Sequence, residues 1–320
     1  MARKKGICPS GIGGQAVIEG VMMKNQDLYA VAVRKPNGEI EIDTEEYHGI
    51  LHGSAIKKVP FIRGVFNFVD SLILGMRTLT YSASFYEDEE AKETKTDKAM
   101  GKMFGANAEK VMMGCTVALS IVLAVAIFMI LPYFLSSFFE KYVRNTSLLA
   151  LIEGVIRIAI FLIYVVAISL MQDIKRVYMY HGAEHKCINC IEHGMELTVE
   201  NVRKSSKQHK RCGTSFLFFV VLVSIVVCFF ITVESPVLRV LIRIALLPVI
   251  AGISYELIKL AGSSDNPVIG LLSKPGLAMQ NLTTKEPEDD MIEVAIKAVE
   301  EVFDWKAYLK ENFGEDFGEE

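Results

Sequence analysis

The longest apolar runs lie in the middle of the chain, and four of them predict membrane-spanning helices. Each run is long enough to cross about 30 Å of hydrocarbon at a helical rise of about 1.5 Å per residue. Short connections within the first pair and within the second pair predict two antiparallel helical hairpins. The predicted spans cover residues 115–135, 148–171, 216–233 and 237–260. The predicted fold class is therefore a mainly α-helical integral membrane protein with four transmembrane helices.

Residues 1–59 predict a small cytoplasmic β-rich unit ahead of the spans. The motif PNGE at residues 36–39 is a strong hairpin signal, and the residues after it alternate between apolar and polar as a strand does. The predicted strands cover residues 15–23, 28–35 and 39–47.

Residues 60–110 predict an amphipathic helix followed by a charged linker. In residues 60–86 apolar positions recur at helical spacing, with charged side chains between them. This pattern is typical of a helix that lies on the membrane surface or packs against other helices. Residues 87–102 carry many charges without periodicity, which indicates a solvated linker.

The remaining boundaries follow from the same pattern. The transmembrane domain is predicted over residues 111–262, and it contains a cytoplasmic loop rich in His and Cys at 172–213. Residues 263–320 predict a cytoplasmic C-terminal loop and helix. Glycine, proline and serine are frequent in 261–281, which favours a loop or a re-entrant segment, and a helix is predicted to open at 283–287.

Composition and charge place the protein in a membrane. The chain is 51% hydrophobic with a formal net charge of −4, so nothing indicates nucleic-acid binding. The loop between the second and third spans carries eight lysines and arginines, whereas the opposite connections carry two. Because cytoplasmic loops hold the excess of basic residues, both termini are predicted to lie in the cytoplasm, and the chain is predicted to cross the membrane several times. Thiols stay reduced in the cytoplasm, so a disulfide framework is not expected.

Arg157 and Arg243 lie inside predicted spans, more than one helical turn from either end. Arg157 and Arg243 are expensive in lipid, so they either face the interior of the helical bundle or extend to the outer interface. Each lies about two or three turns from the outer end of its span, which favours extension of the side chain to the interface.

The candidate chemistry is concentrated in residues 180–215, which hold four of the six histidines and three of the six cysteines. His181, Glu184 and His185 form the pattern H-x-x-E-H. On a helix, residues four apart share a face, so both imidazoles can reach one metal ion, and Glu184 can accept a proton from water at that metal.

A tetrahedral site needs at least one more ligand, and several are available. His209 and Cys212 offer a nitrogen and a thiolate that suit zinc. Cys187 and Cys190 are an alternative pair of ligands. Together with His181 and His185 they would complete a four-ligand site that is purely structural. The oxygen ligands Glu192, Glu196 and Glu200 would instead favour manganese or iron. A polar network without any metal is the remaining alternative.

A second histidine pair, His48 and His52, is also spaced by four residues. Two glycines in the segment YHGILHG argue against a helix there, so this spacing alone is a weak indication of a metal site.

The chain resembles the YqhQ-like bacterial membrane proteins, a family known as domain of unknown function 1385. The resemblance rests on blocks spread over nearly the full length, among them GGQAVIEGVMMK (13–24), YHGAEHKCIN (180–189), HKRCGTSFL (209–217) and LTTKEPEDDMIEVAI (282–296). The resemblance implies that this chain is a metal-dependent enzyme whose substrate is unknown. Family members usually have H-P-R-C-G-T where this chain has Lys210, and Cys187 is not a position expected from the family. The positions carried over are His181, Glu184, His185, His209, Arg211 and Cys212.

These observations predict a cytoplasm-facing, metal-dependent membrane enzyme of the hydrolase type, with zinc as the expected ion. Glu184 would be the general base and Arg211 would stabilise an anion in the substrate. The substrate would be a lipid-like molecule or a membrane peptide. The sequence is compatible with a homo-oligomer but does not decide the oligomeric state.

Two other functional classes fit the same pattern. One is a scaffold or chaperone-like factor that binds other membrane proteins. The other is a transporter in which Arg157, Arg243 and Glu256 line a path.

Overall fold

The computed structural model describes residues 8–86, 108–231, 233, 235–263 and 266–314. These residues are mostly helical, and their strands are all near the N-terminus. The chain divides into two compact units. The first unit combines Met1–Tyr86, Val165–Val223 and Leu247–Glu320, and the second combines Glu87–Tyr164 and Ser224–Leu246.

The first unit contains a four-stranded antiparallel sheet in the order β1-β2-β3-β4. The hairpin predicted at residues 36–39 is confirmed, since Arg34 of β3 pairs with Ile40 of β4. The strand predicted over 15–23 is two strands, because the chain turns at Glu19, whose φ is +48°. The strands are β1 (Gly13–Val17), β2 (Gly20–Asn25), β3 (Leu28–Arg34) and β4 (Ile40–Glu46).

Both faces of this sheet are covered, so it is not a separate β-rich unit. Successive strand residues point to opposite faces. Val21 and Ala32 belong to a core shared with the helices α5 (Gln172–Glu192) and α10 (Asp289–Val302). Val31, on the other face, belongs to a core that includes Leu74 of the helix α1 (Ile62–Ala83).

Helix α1 confirms the predicted amphipathic helix. In an ordinary core-facing helix the large apolar side chains are buried, whereas here several of them are exposed. Its small residues make the close contacts: Gly64 lies against Tyr255, and Gly75 lies against Gln15. Large apolar side chains of the helix remain exposed, such as Leu72 at 56%. This face suits a membrane surface. The charged linker predicted at 87–102 lies outside the described residues.

Among the described residues, three helical segments are long and apolar enough to cross a membrane, judged by length and composition. They are Val111–Ser137, Ser147–Ser169 and Val237–Gly262. The first consists of α2 (Ala108–Val125), a π-helical turn (Ala126–Ile130) and α3 (Leu131–Ser137), and the other two lie within α4 (Thr146–Ser169) and α8 (Pro236–Ser263). Three of the four predicted spans therefore form suitable helices. The remaining one, α7 (Gly213–Phe229), is apolar but has only 17 residues.

The two arginines that were predicted to extend to an interface do not do so. Arg157 and Arg243 are only 6% and 4% exposed within the second unit. Arg157 Nη2 donates to Glu153 Oε1 at 2.8 Å, and Arg243 Nη2 donates to Glu153 Oε2 at 2.9 Å. The reason is that Glu153, one helical turn before Arg157, supplies a counter-charge that both guanidinium groups share.

The structure also differs from the two loops that were predicted. Most of residues 172–213 is helical, in α5 and in α6 (Val199–Lys204). The stretch predicted as a loop at 261–281 contains α9 (Pro267–Thr283), whose first turn is capped by the Asn266 side chain accepting from the N–H of Val268 at 2.9 Å. Proline at the first helical position does not oppose a helix. The chain then continues through α10 and α11 (Trp305–Phe313).

Candidate metal centre

Helix α5 places the histidines of the H-x-x-E-H motif on one face. From Tyr180 to Glu192 nearly every residue is buried, because the sheet, α6 and α10 surround this end of the helix. Gly182 lets the helix approach the backbone of Lys285 so closely that no side chain would fit between them. The motif therefore lies inside the first unit and not on an exposed loop.

Three side chains form a candidate site for a metal ion, which we call the metal centre: His181, His185 and Cys212. One ligand atom from each lies within 4.8 Å of the other two. His181 Nε2 is 3.2 Å from Cys212 Sγ, and the two imidazole rings have centroids 4.4 Å apart. Two nitrogens and one sulfur at such separations are a suitable set of ligands for zinc.

The backbone fixes the orientation of both imidazoles. His181 Nδ1 lies 2.9 Å from the carbonyl oxygen of Thr283, and His185 Nδ1 lies 2.7 Å from that of Lys207. A carbonyl only accepts, so each Nδ1 carries the hydrogen and each Nε2 is left as a ligand atom. Metal-binding histidines are usually held in this way by a hydrogen bond from the second ring nitrogen.

The electrostatics of the metal centre favour a thiolate. Burial alone would raise the pKa of the Cys212 thiol, but His181 and His185 hold that pKa well below its usual range. Burial likewise lowers the pKa of His181, but the charge of Cys212 outweighs it and raises the pKa to about 9. Thr214 contributes a hydroxyl 3.1 Å from Cys212 Sγ. The thiolate, which is the form that binds metals, is thus the favoured state.

Glu184 lies beside the metal centre with one oxygen unsatisfied. The residue is 5% exposed, and its Oε2 has no hydrogen-bond partner among the described residues. Burial raises the pKa of this carboxyl, although His181 and His185 oppose the shift. Gly14 of β1 covers the side chain, and a Cβ at that position would be 3.0 Å from Glu184 Cγ. An unpaired buried oxygen of this kind calls for a further ligand or proton.

His209 and Arg211 do not join the metal centre, although both were predicted site residues. His209 Nε2 is 3.3 Å from Glu192 Oε2, and Arg211 donates to Glu192 Oε1. Burial alone would raise the pKa of the Glu192 carboxyl, but His209 and Arg211 hold it below its usual range. The ring of His209 still lies near the metal centre, with its centroid 5.8 Å from that of His185.

The other predicted ligands are also placed elsewhere. Cys187 is fully buried in the main apolar core, and Cys190 Sγ lies 3.3 Å from the backbone carbonyl oxygen of Glu196. Neither thiol belongs to the metal centre. Among the predicted oxygen ligands, Glu192 is occupied as described, and Glu200 pairs with Lys204.

Sequence reasoning missed the groups that support the metal centre. The carbonyls of Thr283 and Lys207 belong to the backbone, so no residue type could have indicated them. Gln280 was also missed: its Oε1 accepts from the N–H of His209 at 2.8 Å, and its Nε2 donates to the carbonyl of His209 at 2.7 Å. The position of Gln280 in the largely apolar helix α9 was the available indication that this residue supports the site.

The fold and this centre define a mostly helical protein with long apolar helices and a buried His/His/Cys cluster. The chain belongs to the DUF1385 family of proteins of unknown function, whose family model matches residues 59–305. It is similar to the uncharacterized protein YqhQ of Bacillus subtilis (strain 168), with 35% identity over 306 residues, 95% of this chain and 96% of that protein. No solved structure matches the chain. The family resemblance is confirmed, and neither description assigns an activity.

Proposed function

We propose that this protein is a zinc-dependent membrane hydrolase whose site is the metal centre with Glu184. The observation that carries the proposal is the convergence of three ligand atoms within 4.8 Å beside the buried carboxylate of Glu184, whose Oε2 lacks a hydrogen-bond partner in the part of the chain that the structure describes. Three protein ligands leave a fourth position open, which is typical of catalytic zinc sites, whereas structural sites use four.

The roles of the protein groups follow from their contacts. A bound zinc ion would supply the Lewis acid for hydrolysis. His181 and His185 would bind it through Nε2, because both Nδ1 atoms are held by carbonyls. Glu184 would accept a proton at Oε2 and release it later, for which a raised pKa is suited, since it lies closer to the working pH. Arg211 would act as a positioning residue through Glu192 and not on the substrate.

The proposal includes a location and a class of substrate. The three long apolar helices, with α7 as a short fourth span of about 26 Å at the usual helical rise, would cross the bacterial cytoplasmic membrane. The basic residues of 172–213 would keep both termini in the cytoplasm. The exposed apolar face of α1 would contact the bilayer, and a lipid-like molecule or a membrane peptide is the substrate class that this location favours.

A second candidate is a structural zinc centre, and the burial of its ligands favours it. His185 is 1% exposed and Cys212 is 4% exposed. A metal there would tie α5 to the residues that precede α7 and would stabilise the fold without chemistry. The two candidates predict different consequences for Glu184.

The first experiment measures zinc by mass spectrometry in the full chain, purified in detergent without a histidine tag. We expect His181→Ala/His185→Ala to lose about one zinc ion per chain. His193→Ala is the matched control, because His193 is exposed and lies outside the metal centre. An unchanged zinc content in the double variant, with the protein folded, would refute both candidates.

Glu184→Gln then separates them. The hydrolase predicts that this variant keeps its zinc and its unfolding temperature but loses turnover of phospholipid and membrane-peptide substrates. Full function of Glu184→Gln in cells that lack the native gene would exclude the hydrolase and leave the structural centre.

A further inference from the structure

A second group of metal-binding side chains lies at the far end of the sheet. Asp27 closes the tight turn between β2 and β3, where Gln26 has a φ of +54°. Tyr47 follows β4 and donates its N–H to the carbonyl of Asp27 at 2.7 Å. This hydrogen bond holds the segment after β4 against the turn, so that the two histidines of YHGILHG approach Asp27.

The two histidines are brought together by turns and not by a helix. The N–H of His52 donates to the carbonyl of Gly49 at 2.8 Å. Asp70 of α1 anchors this loop, since its Oδ1 accepts from the N–H of Ile50 at 3.0 Å and from the Tyr47 hydroxyl at 3.1 Å. The sequence argument against a helix was therefore correct, and yet the rings of His48 and His52 have centroids only 4.4 Å apart.

Distances within this group suit a shared ion better than direct hydrogen bonds. His48 Nδ1 and His52 Nδ1 lie 3.7 Å and 3.8 Å from the same oxygen, Asp27 Oδ2. Both distances exceed ordinary hydrogen bonds. Ligand atoms about 2.1 Å from a tetrahedral zinc ion are about 3.4 Å apart, so a small closing movement would complete the site. One ligand atom from each of the three residues lies within 4.8 Å of the others.

A carboxylate also lies in the position that usually supports a metal-binding histidine. If His48 binds through Nδ1, its Nε2 carries the hydrogen, and this nitrogen is 3.4 Å from Glu46 Oε2. Such carboxylate–histidine pairs fix the ring and make the imidazole a better ligand.

The site lies at the edge of an open cleft. Asp27 and His52 line a cavity of about 500 Å³ between the sheet, α1 and the segment after β4. Three protein ligands would leave at least one position of a zinc ion free, and this cleft gives water or a small ligand access to it. The histidines are about half exposed, at 49% and 53% for the side chains, so the site exchanges with solvent more readily than the buried metal centre.

We propose that Asp27, His48 and His52 form a second zinc site, distinct from the metal centre and open to the cleft. Two imidazoles and one carboxylate are a ligand set that zinc accepts with a free coordination position. The proposal does not depend on the hydrolase function, because none of its residues belongs to the metal centre.

Zinc titration of the full chain in detergent tests this site, after removal of metal and with a competing chelator dye. The wild type is expected to bind two zinc ions per chain. His48→Ala/His52→Ala is expected to bind one, and Asp27→Asn should weaken the second ion at least tenfold while leaving the backbone bond to Tyr47 in place. His193→Ala should bind two. An unchanged stoichiometry and affinity in His48→Ala/His52→Ala would overturn the proposal.

Cobalt substitution identifies which site each ion occupies. Cobalt bound at the metal centre has a thiolate ligand and gives a sulfur-to-metal charge-transfer band, whereas cobalt at Asp27, His48 and His52 has only nitrogen and oxygen ligands. We expect His48→Ala/His52→Ala to keep the charge-transfer band and Cys212→Ser to lose it while retaining one bound ion. A wild type without a charge-transfer band, or a Cys212→Ser variant that keeps the band, would refute the metal centre alone. Loss of neither signal in His48→Ala/His52→Ala would refute the second site alone.

Discussion

Replacing Gly182 with alanine tests whether close packing of α5 orients the metal centre. A Cβ at this position would overlap the carbonyl oxygen of Lys285 and lie 3.2 Å from its carbon. The obstacle is backbone, so no side chain can rotate away. The Lys285 segment would have to move by roughly 1 Å to restore ordinary van der Waals contact.

Hydrogen bonds resist that movement on both sides. The N–H of Lys285 donates to the carbonyl of Tyr178 at 2.8 Å, and the N–H of Thr284 donates to that of Gln280 at 2.7 Å. Overpacking of this kind costs about 1–3 kcal/mol of unfolding free energy. The same displacement pulls the Thr283 carbonyl away from His181 Nδ1, and loss of such a supporting bond costs about 10–100-fold in metal affinity.

The assay combines chemical unfolding of the metal-free protein with zinc titration. Gly213→Ala is the matched control, since Gly213 is also helical and next to the metal centre, but has no atom within 4 Å of an added Cβ. We expect the control to behave as the wild type. If Gly182→Ala unfolds at the wild-type denaturant concentration and binds zinc with wild-type affinity, then this packing does not orient His181.

Two further predictions concern buried charges. Glu153→Gln leaves two buried arginines without a counter-charge and should cost about 3–5 kcal/mol in detergent unfolding experiments, whereas Glu140→Gln at an exposed position should cost little; equal stability of the two variants would contradict the buried pairing. For the metal-free protein, the lowered pKa of Cys212 stabilises the fold above the acid range, and the raised pKa of His181, about 9, stabilises it at low pH. Between about pH 6.5 and 8.5 the folded thiolate–imidazolium pair and the unfolded thiol–imidazole pair bind one proton each. The difference in unfolding free energy between the wild type and His181→Ala/Cys212→Ala, which lacks both groups, should therefore be flat there and should fall by about 1.4 kcal/mol per pH unit below about 6.5. Equilibrium unfolding at several pH values measures this difference, and a maximum inside the flat interval would refute the assigned charge states.

The sequence predicted those elements whose pattern is local. Strand alternation and the turn at 36–39 indicated the β3–β4 hairpin, and continuous apolar runs indicated α4 and α8. It failed where tertiary contacts decide. Residues 172–192 are polar enough to suggest a loop, but the sheet and α10 cover the part from Tyr180 to Glu192, and Lys186 and Asn189 there donate to backbone carbonyls inside the fold. The position of Arg157 near the outer end of its span favoured extension of the side chain to the interface. The sequence does not show that Glu153, one turn away, also reaches Arg243 and holds both arginines inside the fold.

The candidate metal centre was predictable in part for the same reason. The i, i+4 spacing of His181 and His185 is a local property, and the structure brings these two rings together with Cys212. The choice between His209 and Cys212 could not be made from the sequence, since it depends on Glu192 holding His209. At His48 and His52 the absence of a helix was predictable, but the turn that carries Asp27 is distant along the chain, so its approach to them was not.

Under the proposed membrane location, the shared carboxylate of Glu153 has a consequence for how the chain would enter a bilayer during synthesis. Helix α4 contains both Glu153 and Arg157, so the charge of Arg157 is neutralised within the helix. This helix could therefore enter hydrocarbon without a partner helix. The first three turns of helix α8 contain Arg239 and Arg243 but no acidic residue, and an unpaired arginine costs up to about 2.5–3.5 kcal/mol for insertion, the value at the centre of a membrane helix. Stable insertion of α8 would therefore depend on α4 already being in place, and the order of the two helices along the chain meets this requirement, because the ribosome delivers Glu153 first.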